Sequence, residues 1–175
     1  MTQQEFNDCM AQIASGNKDG LRRIYEEYLT YIYTIVYGVV TSKENAEDIT
    51  SEFFIKLWDI ADQYKAAENG HKAYLATVAR NMALDFLRKN KREVLADEIP
   101  EGEDPRSHVE EEVISDMSLK AALDSLKEAE REVVSMKILS EMTFQEIADA
   151  LNTPLGTVTW RYKNALEKLK RYGYE

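Results

Sequence analysis

Apolar residues recur through almost the whole chain at spacings of three and four, the interval that places side chains on one face of an α-helix. Strand-like alternation is scarce. A short helix is predicted over about residues 3–14, ending near Ser15-Gly16. A second spans Lys18 to Val40, with Ile24, Tyr28, Tyr31, Ile32, Ile35 and Val39 in one stripe. The tyrosines share that stripe, so core packing explains them better than base stacking. The third runs from about Lys43 to Tyr64, opened by a capping box between Thr41 and Glu44. Ile49, Phe53, Leu57, Ile60 and Tyr64 form its core stripe, which Phe54, Trp58 and Ala61 widen. Asp48, Glu52 and Asp59 make an acidic ridge beside Ile55. The extra aromatics either pack on neighbouring helices or, rimmed by charge, form a protein-docking surface.

A polar loop, Gln63 to Gly70, leads to a fourth helix, about His71 to Lys91. Leu75, Val78, Ala79, Met82 and Phe86 form its buried stripe, and Thr77, Arg80, Asn81, Leu84 and Arg88 its outer face. Segment 80–92 has five basic side chains and one acid. An exposed Leu84 among those polar groups suits a surface that meets DNA bases as well as phosphates.

The last third carries a helix-turn-helix pattern. Thr143 and Glu146 make a capping box for a short helix, Phe144 to Ala150. Asn152 can turn the chain in the left-handed region. Thr153 is expected to cap the next helix, with Pro154 in its first position. That helix has a buried face of Val158, Tyr162, Ala165, Leu166 and Leu169. Trp160, Lys163, Asn164, Glu167 and Arg171 lie opposite, flanked by Thr157, Thr159, Arg161, Lys168 and Lys170. Residues 157–172 hold five bases and one acid. A solvated amphipathic face would look similar, but cap, turn and proline together favour a helix presented to the DNA major groove.

The formal net charge of −10 looks wrong for a DNA binder, since phosphate neutralisation needs lysine and arginine. Its distribution resolves the conflict. Residues 93–116 carry ten acids and one base, with two of the three prolines, and read as a flexible linker. Domains are expected at 1–92 and 117–175, giving an all-α fold of two small helical domains. The single cysteine, Cys9, excludes an intrachain disulfide and reads as a core residue. His71 and His108 lack metal-ligand spacing. No signal peptide or membrane-spanning run is visible, so a soluble cytoplasmic protein is expected. No carboxylate pair, nucleophile elbow or phosphate loop is visible either, so no enzyme, metal or cofactor is expected.

Three stretches, in this order along the chain, resemble a bacterial sigma factor of the short extracytoplasmic-function (ECF) group. Asn45 to Trp58, NAEDITSEFFIKLW, is similar to the segment that docks on the polymerase clamp helices. Tyr74 to Arg88, YLATVARNMALDFLR, resembles the helix that melts the promoter and reads its minus-ten element. Thr143 to Leu169, centred on Pro154-Leu-Gly-Thr-Val158, resembles the minus-thirty-five reader. Asn152 stands where glycine is usual, and Trp160, Lys163 and Asn164 stand where many relatives carry arginine or serine. The resemblance implies a non-catalytic subunit that makes RNA polymerase promoter-specific. Asp48, Glu52, Ile55, Trp58 and Asp59 would hold core polymerase, and Arg80, Asn81, Leu84 and Arg88 would meet the minus-ten region. The loop Gln63 to Gly70 would take an extruded base. Thr157, Thr159, Trp160, Lys163 and Asn164 would read the upstream element, with Lys168, Lys170 and Arg171 on phosphates. An anti-sigma partner is implied by the family alone. Two other readings stay open: an autonomous helix-turn-helix regulator, which would bind promoters without polymerase, and a helical adaptor, which would show no salt-sensitive DNA binding.

Overall fold

The computed structural model describes residues 1–66, 70–96 and 121–171, with residues 91–96 as backbone only. No strand occurs among them. Helix α1 (Gln3–Ala14) opens on a capping box: Glu5 N–H donates to the Thr2 hydroxyl, and Thr2 N–H donates to the Glu5 carboxylate. Phe6, Cys9, Met10 and Ile13 are its buried face, so Cys9 is a core residue as expected. Helix α2 (Lys18–Val40) crosses α1 closely, and a Cβ at Gly20 would run into the Cys9 carbonyl.

Helix α3 (Lys43–Asp59) is capped by Ser42, whose hydroxyl accepts from Asn45 N–H, and not by Thr41. Thr41 instead closes α2 in the left-handed region at φ 54°, so it has no helical entry geometry to offer. The helix stops at Asp59 and a 3-10 turn, Ala61–Gln63, follows. The apolar stripe runs through this turn, which is why the sequence pattern reads as a longer helix. Helix α4 (His71–Ala96) extends into the segment expected to begin the linker. The rest of that linker, and His108, lie outside the described residues.

After a helical turn at 121–124 come α5 (Glu128–Val134), continued by a π-turn Ser135–Leu139, then α6 (Phe144–Leu151) and α7 (Leu155–Arg171). The Thr143–Glu146 capping box and left-handed Asn152, φ 46° and ψ 48°, are present as expected. The start of α7 differs. The Thr153 hydroxyl donates back to the Leu151 carbonyl, and Val158 N–H bonds the Pro154 carbonyl. Pro154 is therefore the residue before the helix, and Leu155 is its first.

The two domains are docked. Helix α6 lies on α4, while α5 and the π-turn lie on α2. Gly38 makes the α2 contact possible: a Cβ there would sit 2.5 Å from Ser135 Oγ. Arg131 Nε donates to the Gly38 carbonyl at 3.0 Å, and Thr77 Oγ1 to the Ala150 carbonyl at 3.3 Å.

The start of α4 is fixed by a buried polar network. His71 N–H donates to Gln3 Oε1, which also faces His71 Nδ1 at 3.0 Å. An amide oxygen only accepts, so Nδ1 carries the proton and Nε2 accepts from the Tyr28 hydroxyl. Phe6 stacks on the ring at 5.0 Å. Burial, with help from Lys72 and the N-terminal amine, lowers the His71 pKa. The unfolded chain, with an ordinary histidine pKa of about 6.5, therefore binds this proton more readily. His71 contributes full stability above about pH 6.5, and that contribution is lost as pH falls through this value towards the folded pKa. We expect His71→Gln to remove this part of the acid sensitivity. In urea titrations from about pH 7.5 to about pH 5.5, the gap between wild type and variant should shrink, by at most about 1.4 kcal/mol per pH unit. A constant gap would show that His71 does not titrate in this range.

Candidate functional site

Three surfaces carry the residues singled out by sequence. On α3, positions 48, 52, 55 and 59 follow helical spacing, and all four side chains are exposed, Ile55 to 64%. The opposite stripe of Ala46, Ile49, Phe53 and Leu57 is buried. The extra aromatics divide between core and surface. Phe54 is buried and packs against Tyr25 at 4.8 Å, whereas Trp58 is half-buried. Leu21, Tyr25, Phe54 and Trp58, with the stems of Lys18 and Arg22, line an open apolar groove of about 410 Å³. The acidic stripe of α3 adjoins this groove, which lies between α2 and α3, an apolar patch with a charged rim. Leu21 and Tyr25 belong to α2, whose tyrosines from Tyr25 to Tyr37 read as core; Tyr25 is instead 44% exposed, because it lies one turn before the buried Tyr28 and lines this groove.

On α4 the structure divides the expected set. Asn81 and Arg88 are exposed, the latter in a surface pair with Asp85 at 3.1 Å. Leu84 is half-buried against the core, not exposed as the helical wheel suggests. Arg80 is not a free cation: its Nε and Nη2 meet the two carboxylate oxygens of Glu132 at 2.9 and 3.2 Å. The side chains are 26% and 4% exposed, so this is a forked, largely desolvated pair across the domain boundary. The wheel fails here because α4 is covered on two sides. Within the loop expected to hold an extruded base, residues 67–69 lie outside the described residues. At its start Tyr64 donates to Asn7 Oδ1, and at its end Gly70 takes φ 84°.

On α7, Val158, Ala165 and Leu169 are buried, and Tyr162 packs edge-on against Phe144 at 5.2 Å. Trp160 is 61% exposed, Lys163, Lys170 and Arg171 are exposed, and Thr157, Thr159 and Asn164 are intermediate. Lys168, expected on phosphate, is held at 2.6 Å by Glu130, whose carboxylate also accepts from Lys127 N–H. Burial raises the Glu130 pKa, but the Lys168 and Lys127 bonds outweigh it and hold the carboxyl below the ordinary range. Lys168 therefore ties α7 to α5. Among the described residues no group of His, Cys, Asp or Glu is placed to hold a metal. No helix among them is long and apolar enough to cross a membrane.

Residues 24–93 match the family Sigma-70 region 2, and residues 122–171 match Sigma-70, region 4. The chain is 25% identical to the ECF RNA polymerase sigma factor SigK of Mycobacterium ulcerans, over 95% of this chain and 92% of that one. It is also 25% identical to SigW of Bacillus subtilis, over 91% and 92%. Its fold resembles that of CnrH, solved with the cytosolic domain of CnrY, at a TM-score of 0.74 and 18% identity, over 96% of each chain. RpoE of Bartonella quintana, solved with the anti-sigma factor NepR, gives 0.69 and 22% identity over 88% and 96%. Both matched regions fall on the two helical domains, in the order in which α3, α4 and α7 present their surfaces. The chain belongs to the ECF sigma factors, the transcription initiation subunits that bind RNA polymerase and direct it to promoters.

Proposed function

We propose that the acidic stripe Asp48, Glu52, Ile55 and Asp59, with the Trp58 groove, is where this sigma factor holds core polymerase. Asn81 and Arg88 on α4 meet the minus-ten region. Trp160, Lys163 and Asn164 on α7 read the minus-thirty-five element, with Lys170 and Arg171 on phosphates. The observation that carries the reading is the division of α3: one stripe wholly buried, the other wholly exposed and flanked by an apolar groove that no described residue fills. An anti-sigma protein is a further partner, by analogy with the RpoE–NepR complex.

The test is transcription in vitro with core polymerase and genomic DNA. Discrete promoter-specific transcripts should require both sigma and core. Tight promoter binding without any interaction with core would establish an autonomous regulator instead. Asn81→Ala should leave core binding intact and reduce open-complex formation, because extruding a base costs a few kcal/mol that α4 must help to offset. Permanganate footprinting reads this directly, and unchanged reactivity of promoter thymines would place melting elsewhere.

A further inference from the structure

We propose that the free protein adopts a closed conformation in which its second domain is latched over α4, the Arg80–Glu132 pair being the latch and the Gly38–Ser135 contact its fit. The functional meaning of the latch rests on α4 being a DNA-contacting helix. The Nε–Nη2 edge of Arg80 is taken by both oxygens of the Glu132 carboxylate, a paired anionic acceptor of the kind that a backbone phosphate also offers. Glu132 thus stands in for DNA. Freeing Arg80 with the domains still docked would leave a carboxylate only 4% exposed without its cation. The pair therefore opens when the domains part and both groups return to water.

Beside an apolar seam that joins the buried residues of the two domains in one cluster, the polar part of the contact suits reversible opening. Arg131 Nε to the Gly38 carbonyl and Thr77 Oγ1 to the Ala150 carbonyl are bonds that water replaces. The Ser135 hydroxyl is buried against Gly38 with no hydrogen-bond partner among the described residues, and it regains one on opening. Polar contacts of this kind hold domains that move relative to each other. Gly38 is the sequence trace of the latch: an interior helical glycine disfavours the helix unless close approach requires it.

The test uses the full chain. Gly38→Ala favours helix α2, but its Cβ would lie 2.5 Å from Ser135 Oγ and 2.6 Å from Ser135 Cβ. Small-angle scattering should give wild type a radius of gyration near the roughly 16 Å of a compact chain of this length. Gly38→Ala should be several ångströms larger with unchanged helical content. A fluorescein-labelled, mixed-sequence single-stranded oligonucleotide should bind the variant about tenfold more tightly, the gain expected if wild type is open about a tenth of the time. Adding Ser135→Gly should restore compactness and weak binding. Glu132→Gln, which keeps the shape and removes the charge, should shift both readouts in the same direction as Gly38→Ala. A wild type that is already extended, or variants that stay compact, would overturn the latch. Expansion that Ser135→Gly reverses, with no change in oligonucleotide affinity, would leave the latch standing and remove α4 from DNA contact.

Discussion

A chain carrying both Asp48→Lys and Glu52→Lys will fold normally and lose roughly two decades of affinity for core polymerase at low salt. Both positions are exposed on α3, and neither side chain takes part in a salt bridge within the described residues. Substitutions at such sites change stability by about 0.5 kcal/mol or less. Reversal removes two attractive charges and places like charges against the partner, a change of about 3 kcal/mol. Trp58→Ala should cost a similar amount through lost packing, because aromatic anchors dominate interfaces. The two effects separate by ionic strength: the reversal loses its force as salt screens it, and the tryptophan deletion does not. Competition binding to core polymerase, with circular dichroism melts alongside, gives the result. Wild-type affinity in the double reversal would end the assignment of this stripe to polymerase.

Asn164→Ala will relax preference at one or two upstream base pairs, while Lys170→Ala will weaken every promoter alike. Asn164 lies next to exposed Trp160 and Lys163 on the face of α7 opposite the buried Val158, Ala165 and Leu169. A bidentate side-chain contact to a base edge discriminates by about 1–3 kcal/mol. Lys170 is exposed near the far end of the helix, where it can neutralise one phosphate and so contributes about one unit of salt slope. Transcription of a promoter library randomised upstream, repeated at several salt concentrations, separates the two behaviours. Uniform loss in both variants would mean that α7 positions the protein without reading sequence.

What was legible in the chain was local. Helical spacing, the Thr143–Glu146 box and the Asn152 turn are set by neighbours a few residues away, and all are present in the fold. The exposed acidic stripe of α3 was legible for the same reason. Arg80 and Lys168 look like free cations in the sequence because their carboxylates lie 52 and 38 residues away. In the run Glu128-Ala-Glu-Arg-Glu132, nothing local separates the exposed Glu128 from the buried Glu130 and Glu132. Leu84 was misplaced because a helical wheel assumes one covered side. The Gln3–His71–Tyr28 network was hidden too, since each partner looks like an ordinary polar residue on its own helix.

Helix α1 has a consequence for what counts as the cooperative unit of the first domain. The Sigma-70 region 2 match begins at Ile24, yet Phe6, Cys9, Met10 and Ile13 are among its buried residues. A fragment cut at that boundary would uncover an apolar face of α2. It would also strand the His71 N–H and the Tyr64 hydroxyl, whose partners are Gln3 and Asn7. Regions that open together share such buried contacts. Amide exchange at the first turn of α4 should therefore follow the detachment of α1, although nearly seventy residues separate them in the chain.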